Sequence, residues 1–296
     1  MIDIALIFPS AIRIMIPLFL AALGIVLAAR CGITHMSMEG AVLGSAFVAT
    51  WADYVWNDPW LGMLGGIFFG VIYSLFLAFL IVQCRGNHVV AGLGMNFVST
   101  GFTIVLMNSI FGGKGASPSV EKLPSFELGI FGHQSVVIFI TVLATVLVIF
   151  LLRRTNLGLR INAVGENTSA ADSLGIRVDR LKYIVMMLSG VLAGIAGTEL
   201  SIGQMGFFAE AMTANMGFLA FSAVVFGGYS PIGTILTTFF IAFLDALQMR
   251  LQVFTSIPSE FLLTIPYVVT IAALAVATSS KKPSMLGKIY ERDKAS

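Results

Sequence analysis

Long apolar runs separated by short polar stretches fill almost the whole of this chain. Nine are candidates to cross a membrane: 4–29, 36–51, 60–83, 88–112, 134–152, 182–204, 208–229, 231–251 and 260–278. A spanning helix needs about 20 such residues. The runs are continuous rather than alternating, which selects helices over a closed barrel, and only these two architectures satisfy the backbone within lipid. Composition agrees. Only 11% of the 296 residues are charged and 57% are hydrophobic, with a mean hydropathy of +0.95. A soluble domain carries about 25% charged residues, so a chain with so little charge leaves apolar surface to lipid. The expected fold is all-α: one polytopic transmembrane helix bundle of about 8–10 spanning segments over 1–280, multi-pass in the cell membrane, with a tail at 281–296.

Lys and Arg placement orients the bundle. The polar stretch 153–181 and the residue after it hold Arg153, Arg154, Arg160, Arg177, Arg180 and Lys182, and the tail holds five more basic residues. Placing both in the cytoplasm brings Arg30 and Arg85 to the same side, so that thirteen of seventeen basic residues face inward. The 113–133 loop and the N-terminus then lie outside. The N-terminal run lacks a basic leader and is read as a retained helix. Cys31 and Cys84 fall near cytoplasmic ends and are read as reduced thiols. No Cys/His spacing resembles a metal site.

Two runs are weak. Segment 36–51 is short, and 208–229 is clearly apolar only from about Gly217. Such segments are typical of discontinuous helices that line a binding site, and 36–51 either spans or is re-entrant. Gly40/Gly44, Gly66/Gly70, Gly190/Gly194 and Ala193/Gly197 have the spacing that lets helix backbones approach closely. No internal repeat is evident.

The charges within apolar stretches are Arg13, Glu39, Glu199, Glu210 and Asp245. Each is expensive in lipid and is expected to face the bundle interior, a cavity or an interface. Glu39, at the start of the second segment, reads as a cap of that helix or as a solute contact. Asp245 is a candidate for a polar cavity, or pairs with Arg250. Glu199 and Gln204 lie near an outer end, within reach of solvent. Asn96 can both donate and accept, which suits solute recognition or an interhelical bond. Glu39, Asn96, Glu199 and Asp245 form the candidate translocation pathway. Phe207 and Phe208 read as part of an aromatic belt or as a stacking platform.

The 153–181 stretch carries helix punctuation. Asn167 or Thr168 can N-cap a short helix, Ala170, Ala171 and Leu174 share an apolar edge, and Gly175 is placed as a stop. A two-turn helix is not stable alone. It docks on a cytoplasmic partner or on the ends of its own bundle.

Here the chain resembles a known family. The run TNLGLRINAVGENTSAADSLGIRVDRLKYIVMMLSGVLAGIAG resembles the coupling region of ABC-importer permeases of the branched-chain amino acid, ribose and nucleoside superfamily. MGFLAFSAVVFGGYSPIG, GITHMSMEGAVLGSAF and VVAGLGMNF continue the match over most of 17–250. The MSMEG stretch and the segment order look most like nucleoside and simple-sugar permeases, although His35 and Met36 stand where those relatives carry Asn-Ile or Asn-Leu. The resemblance implies two ABC ATPase subunits at the cytoplasmic face, a second permease subunit (a homo- or heterodimer), and an extracytoplasmic solute-binding protein. It implies no nucleic acid. By resemblance residues 166–175 form the coupling helix, with Glu166, Asn167, Ala170, Ala171 and Asp172 on matched positions and Thr168, Leu174 and Gly175 within the same span.

No GxxxxGK[ST] run is present, so ATP hydrolysis falls to a partner. No nucleophile–base constellation, cofactor motif or metal cluster is visible, and the chain is not expected to be an enzyme. The alternatives to an ATP-driven permease for a small polar solute are an ion-coupled secondary transporter using Glu39, Glu199 or Asp245, and a membrane-embedded enzyme. Scattered His35, His88 and His133 do not suit the latter.

Overall fold

Six helices among the described residues are long and apolar enough to cross a bilayer. The computed structural model describes residues 4–113, 115–129, 132–254, 264, 268 and 282–288. The helices are α1 (Ile4–Arg30), α2 (Met38–Trp56), α3 (Pro59–Val82), α4 (His88–Phe111), α5 (Val137–Arg154), α6 (Asn156–Glu166), α7 (Thr168–Ser173), α8 (Val178–Thr198), α9 (Met216–Phe226) and α10 (Pro231–Phe254). A π-helical turn, Glu199–Met205, extends α8. The strands β1 (Ser125–Glu127) and β2 (His133–Ser135) pair antiparallel in the 113–133 loop, a small exception to the all-helical expectation. The expected span 260–278 lies outside the described residues.

The six long helices are α1, α3, α4, α5, α8 with its π turn, and α10. Two further expected segments are interrupted. After α1 the chain runs through the non-helical stretch 31–37 before α2 begins, and after the π turn it runs through 206–215 before α9 begins. These are the two segments that are short or interrupted in the sequence. Segment 36–51 is therefore the end of an irregular leg followed by a helix.

Two ends of the bundle are distinct. At one, Arg30 donates to the Tyr229 carbonyl at 2.7 Å. There Met285 N–H donates to Gly165 O, and Gly287 N–H to Gly32 O. The stretches 30–32, 165–166, 229 and 283–288 thus meet at a single basic end. At the other end, Gln134 donates to the Pro9 carbonyl, Arg13 to His133 O, and Gln204 to Arg13 O. Tight caps sharpen several ends: Asp58 accepts from Trp60 N–H ahead of α3, and Asn87 from Val89 and Val90 N–H ahead of α4.

α1 and α8 form the buried centre. α3 packs along α8, α10 along α1, and α2 and α9 fill the space between. Small residues make this possible. A Cβ added at Gly70 would enter the backbone of Gly190 and Gly194, and one at Gly194 would enter the backbone of Ile67. The pairs Gly66/Gly70 and Gly190/Gly194 are thus the two sides of one backbone-to-backbone crossing, which apolar solvent rewards through dispersion and close approach. Gly94 has nothing within 4 Å of its Cβ position. Gly194→Val is expected to destabilise the protein by about 3 kcal/mol through overpacking, read as a lower thermal unfolding midpoint in detergent, with Gly94→Val close to wild type.

The arrangement carries an internal relation that the residues do not display. α1, α2 and α3 correspond in order to α8, α9 and α10, but run in opposite senses between the two ends. Exchanging the two sets maps the α3–α8 packing onto α10–α1, and α2–α8 onto α9–α1. This is the inverted-topology pattern of membrane transporters, in which discontinuous helices meet near the midplane.

Candidate functional site

The starts of α2 and α9 meet inside the bundle, with Glu39 between them. Ser99 Oγ donates to Gly40 O at 2.7 Å, and Ser99 is the midpoint of the 24-residue α4. The junction thus lies about 17 Å from either end of that helix. Gly217 stands against the Glu39 backbone so closely that a Cβ there would overlap it. Two helix N-termini brought together present converging partial positive charge and unpaired N–H groups. The Glu39 carboxylate answers both. Oε1 accepts from Thr213 Oγ1 and from Asn215 N–H (3.1 Å), and Oε2 accepts from Gly217 N–H (2.6 Å). From sequence Glu39 reads as a cap of its own helix, as a structural pair or as a solute contact. It instead caps α9, 178 residues away in sequence, because its side chain points back across the junction.

Asn96 anchors the other side. Its Oδ1 accepts from Gly40 N–H and its Nδ2 donates to Met36 O, both at 2.8 Å. One amide thus ends the irregular leg and begins α2. Thr34 N–H donates to His88 Nδ1 at 3.2 Å, and His35 Nε2 lies 3.4 Å from Ser74 Oγ. The histidines that look scattered in sequence therefore include two that brace the same leg. Among the described residues no His/Cys/Asp/Glu group is arranged to hold a metal ion, and Cys31 and Cys84 are free thiols.

The other pathway candidates lie elsewhere. Glu199 is in the π turn at the end opposite the basic one, where Gln204 Nε2 reaches its Oε1 at 3.2 Å. Its side chain is buried rather than within reach of solvent, because Gly203 allows the carboxyl group to fold against the turn. Asp245 is half-buried on α10. Thus Glu39 and Asn96 come together, whereas Glu199 and Asp245 stand apart from them. Phe208 is fully buried, edge-on to Phe47 with ring centroids 5.2 Å apart. It belongs to the core rather than to an interfacial belt, because the descending leg carries it inward.

At the basic end, α6 and α7 form a helical elbow. Asn167 Oδ1 accepts from Ala170 N–H at 3.0 Å, and Gly175 adopts φ +83° at the stop. Ser284 Oγ donates to Glu166 at 2.8 Å, tying the elbow to the C-terminal stretch. Thr168 and Ala171 are buried against the chain's own bundle, whereas Ser169, Ala170 and Leu174 face outward, with Leu174 82% exposed. The expected common edge of Ala170, Ala171 and Leu174 is therefore split between two faces. A hollow beside Leu174 is lined by Arg160, Arg177, Arg180, Leu181 and Ile184.

Comparison with known proteins agrees with this architecture. Residues 7–274 match the family described as branched-chain amino acid transport system / permease component. The guanosine ABC transporter permease protein NupQ of Bacillus subtilis is 30% identical, over 92% of this chain and 91% of its own length. The nucleoside ABC transporter permease protein NupC of Lactococcus lactis is 29% identical over 88% of each. A Haloferax volcanii permease provisionally assigned to glucose, TsgC13, is 30% identical over 93% of this chain and 94% of its own. The fold also matches a solved ABC transporter in an inward-facing conformation, with a TM-score of 0.50 and 18% identity over 91% of this chain and 84% of that one.

Proposed function

The chain belongs to the branched-chain amino acid transport permease family, the membrane-spanning components of ABC importers, and on that premise we propose that it carries nucleosides. As such a component it is a multi-pass membrane subunit without catalytic activity of its own, working with ATPase and solute-binding partners. The observation that carries the nucleoside reading is the full-length similarity to two permeases named for guanosine and nucleoside transport. A simple sugar is the second reading, supported by the relative assigned to glucose.

In this reading the basic end lies in the cytoplasm, by the distribution of Lys and Arg. The α7 elbow, residues 166–175, receives the ATPase through its outward face, Ala170 and Leu174, rimmed by Arg160, Arg177 and Arg180. An apolar anchor within a basic rim suits a partner groove that is apolar at its centre and acidic at its edge. A second permease subunit completes the passage. Glu39 and Asn96 act on the passage by holding the two half-helices in place, which their hydrogen bonds support. Glu199 and Asp245 are its secondary candidates, at other depths.

Uptake of labelled guanosine, glucose and leucine by the assembly reconstituted with its ATPase and binding protein tests the reading. ATP-dependent guanosine uptake, competed by other nucleosides, is expected. Glucose or leucine uptake with guanosine excluded overturns it.

A further inference from the structure

The leg 206–215 is irregular backbone at a depth where lipid tolerates none. Phe208 packs on Phe47, which is eight residues beyond Glu39 on α2 and so about 12 Å above the mid-membrane junction. Thr213 and Asn215 reach the Glu39 carboxylate itself. The leg therefore descends through one half of a hydrocarbon layer about 30 Å thick.

Its inner side is satisfied. Glu210 N–H donates to Gly115 O, Met212 N–H to Ala209 O, Ala214 N–H to Ala211 O, and Asn215 N–H to Glu39. Its outer side is not. Glu210, Ala211, Ala214 and Asn215 are exposed. Among the described residues, the N–H groups of Ala211 and Thr213 and the carbonyls of Glu210, Met212 and Ala214 make no hydrogen bond, nor does the Asn215 amide. At membrane depth such backbone persists only inside protein or along a water-filled cavity. The leg is also held in a costly shape: Ala211, Ala214 and Asn215 have φ of +55°, +44° and +65°, a region that L-residues seldom occupy.

We propose that the exposed edge of 210–215 is a wall of the solute passage and contacts the solute largely through its backbone. The inference rests on the importer reading above. The wall offers the carbonyls of Glu210, Met212 and Ala214 and the Glu210 carboxylate as acceptors, the Ala211 N–H as a donor, and the Asn215 amide as both. Acceptors outnumber donors, so the wall fits an uncharged solute rich in O–H and N–H groups and disfavours a carboxylate-bearing one.

The test uses the complete importer in vesicles, with Cys84 replaced by serine and single cysteines at Glu210, Ala214 and Asn215. Each variant is first shown to insert and to assemble with its partner subunits. A Val98→Cys variant, on the exposed apolar face of α4, is the lipid-facing control. A membrane-impermeant maleimide is expected to react at least 100-fold faster at the leg than at position 98, and guanosine to slow that reaction at least fivefold while glutamate does not. Reaction as slow as at position 98 overturns the inference, as does fast labelling that no transported solute slows. Protection by glucose alone upholds the wall and overturns the nucleoside reading. Guanosine uptake with an unreactive leg upholds the nucleoside reading and overturns the wall.

Discussion

Glu39→Ala is expected to abolish transport and to lower the thermal unfolding midpoint in detergent by roughly 10 °C. The substitution deletes a carboxylate that accepts three hydrogen bonds from the start of α9. It leaves Asn215 and Gly217 N–H groups in the bundle interior without partners, at about 1–3 kcal/mol each. It also removes the negative charge that separates two converging helix N-termini. The combined cost is about 3–5 kcal/mol. Asn96 Oδ1 cannot take its place, being already bound to Gly40 N–H. Because α9 ends beside Tyr229, whose carbonyl binds Arg30, loosening its start frees an element that reaches the basic end.

The conservative variants grade the effect. Gln has one acceptor oxygen, which serves either the Thr213–Asn215 pair or Gly217, while its amide nitrogen sets a donor against the other. Glu39→Gln should therefore fall between wild type and alanine. Asp is one methylene shorter and should approach alanine. Wild-type stability in Glu39→Ala would mean that the junction is not held by this carboxylate.

What the residues disclose and what they hide divide along a physical line. Helix existence is legible from the length and continuity of the apolar runs, and so is the basic end, because Arg30, Arg153, Arg154, Arg160, Arg177 and Arg180 cluster by side. Local punctuation was legible too: Asn167 does cap α7 and Gly175 does end it, since these contacts span three or four residues. The two interrupted segments showed themselves as a short run and a late-starting one. What stayed hidden depends on long-range closure. The partner of the Glu39 carboxylate is fixed by the meeting of two half-helices, not by its neighbours in sequence. Phe208 reads as interfacial because it follows a glycine at a helix end, yet the leg turns it inward onto Phe47. The inverted relation between α1–α3 and α8–α10 is a property of chain direction, which need leave no matching residues behind.

Leu174→Asp is expected to cut ATP-driven uptake by at least tenfold and to remove ATPase stimulation, with insertion and unfolding midpoint unchanged. The second half follows from burial. Leu174 is 82% exposed, and changes at such a position usually stay within about 0.5 kcal/mol. The first half follows from the proposed coupling. A leucine seated in a partner groove acts as an apolar anchor, and burying a carboxylate there instead costs about 2 kcal/mol or more, which is more than tenfold in binding. Ala171, at a matched position of the family pattern, is the wrong residue for this experiment. It is 2% exposed and packs on the chain's own bundle, so a bulky charged substitution there displaces α7 itself and cannot separate lost docking from lost structure. Ala170→Asp, on the outward face, supplies the independent repeat. Undiminished transport in both outward variants would place the ATPase contact elsewhere on the basic end. Loss in both, with an intact bundle, would fix α7 as the element through which nucleotide-driven closure reaches α1 by way of Gly165, whose backbone lies against that of Arg30.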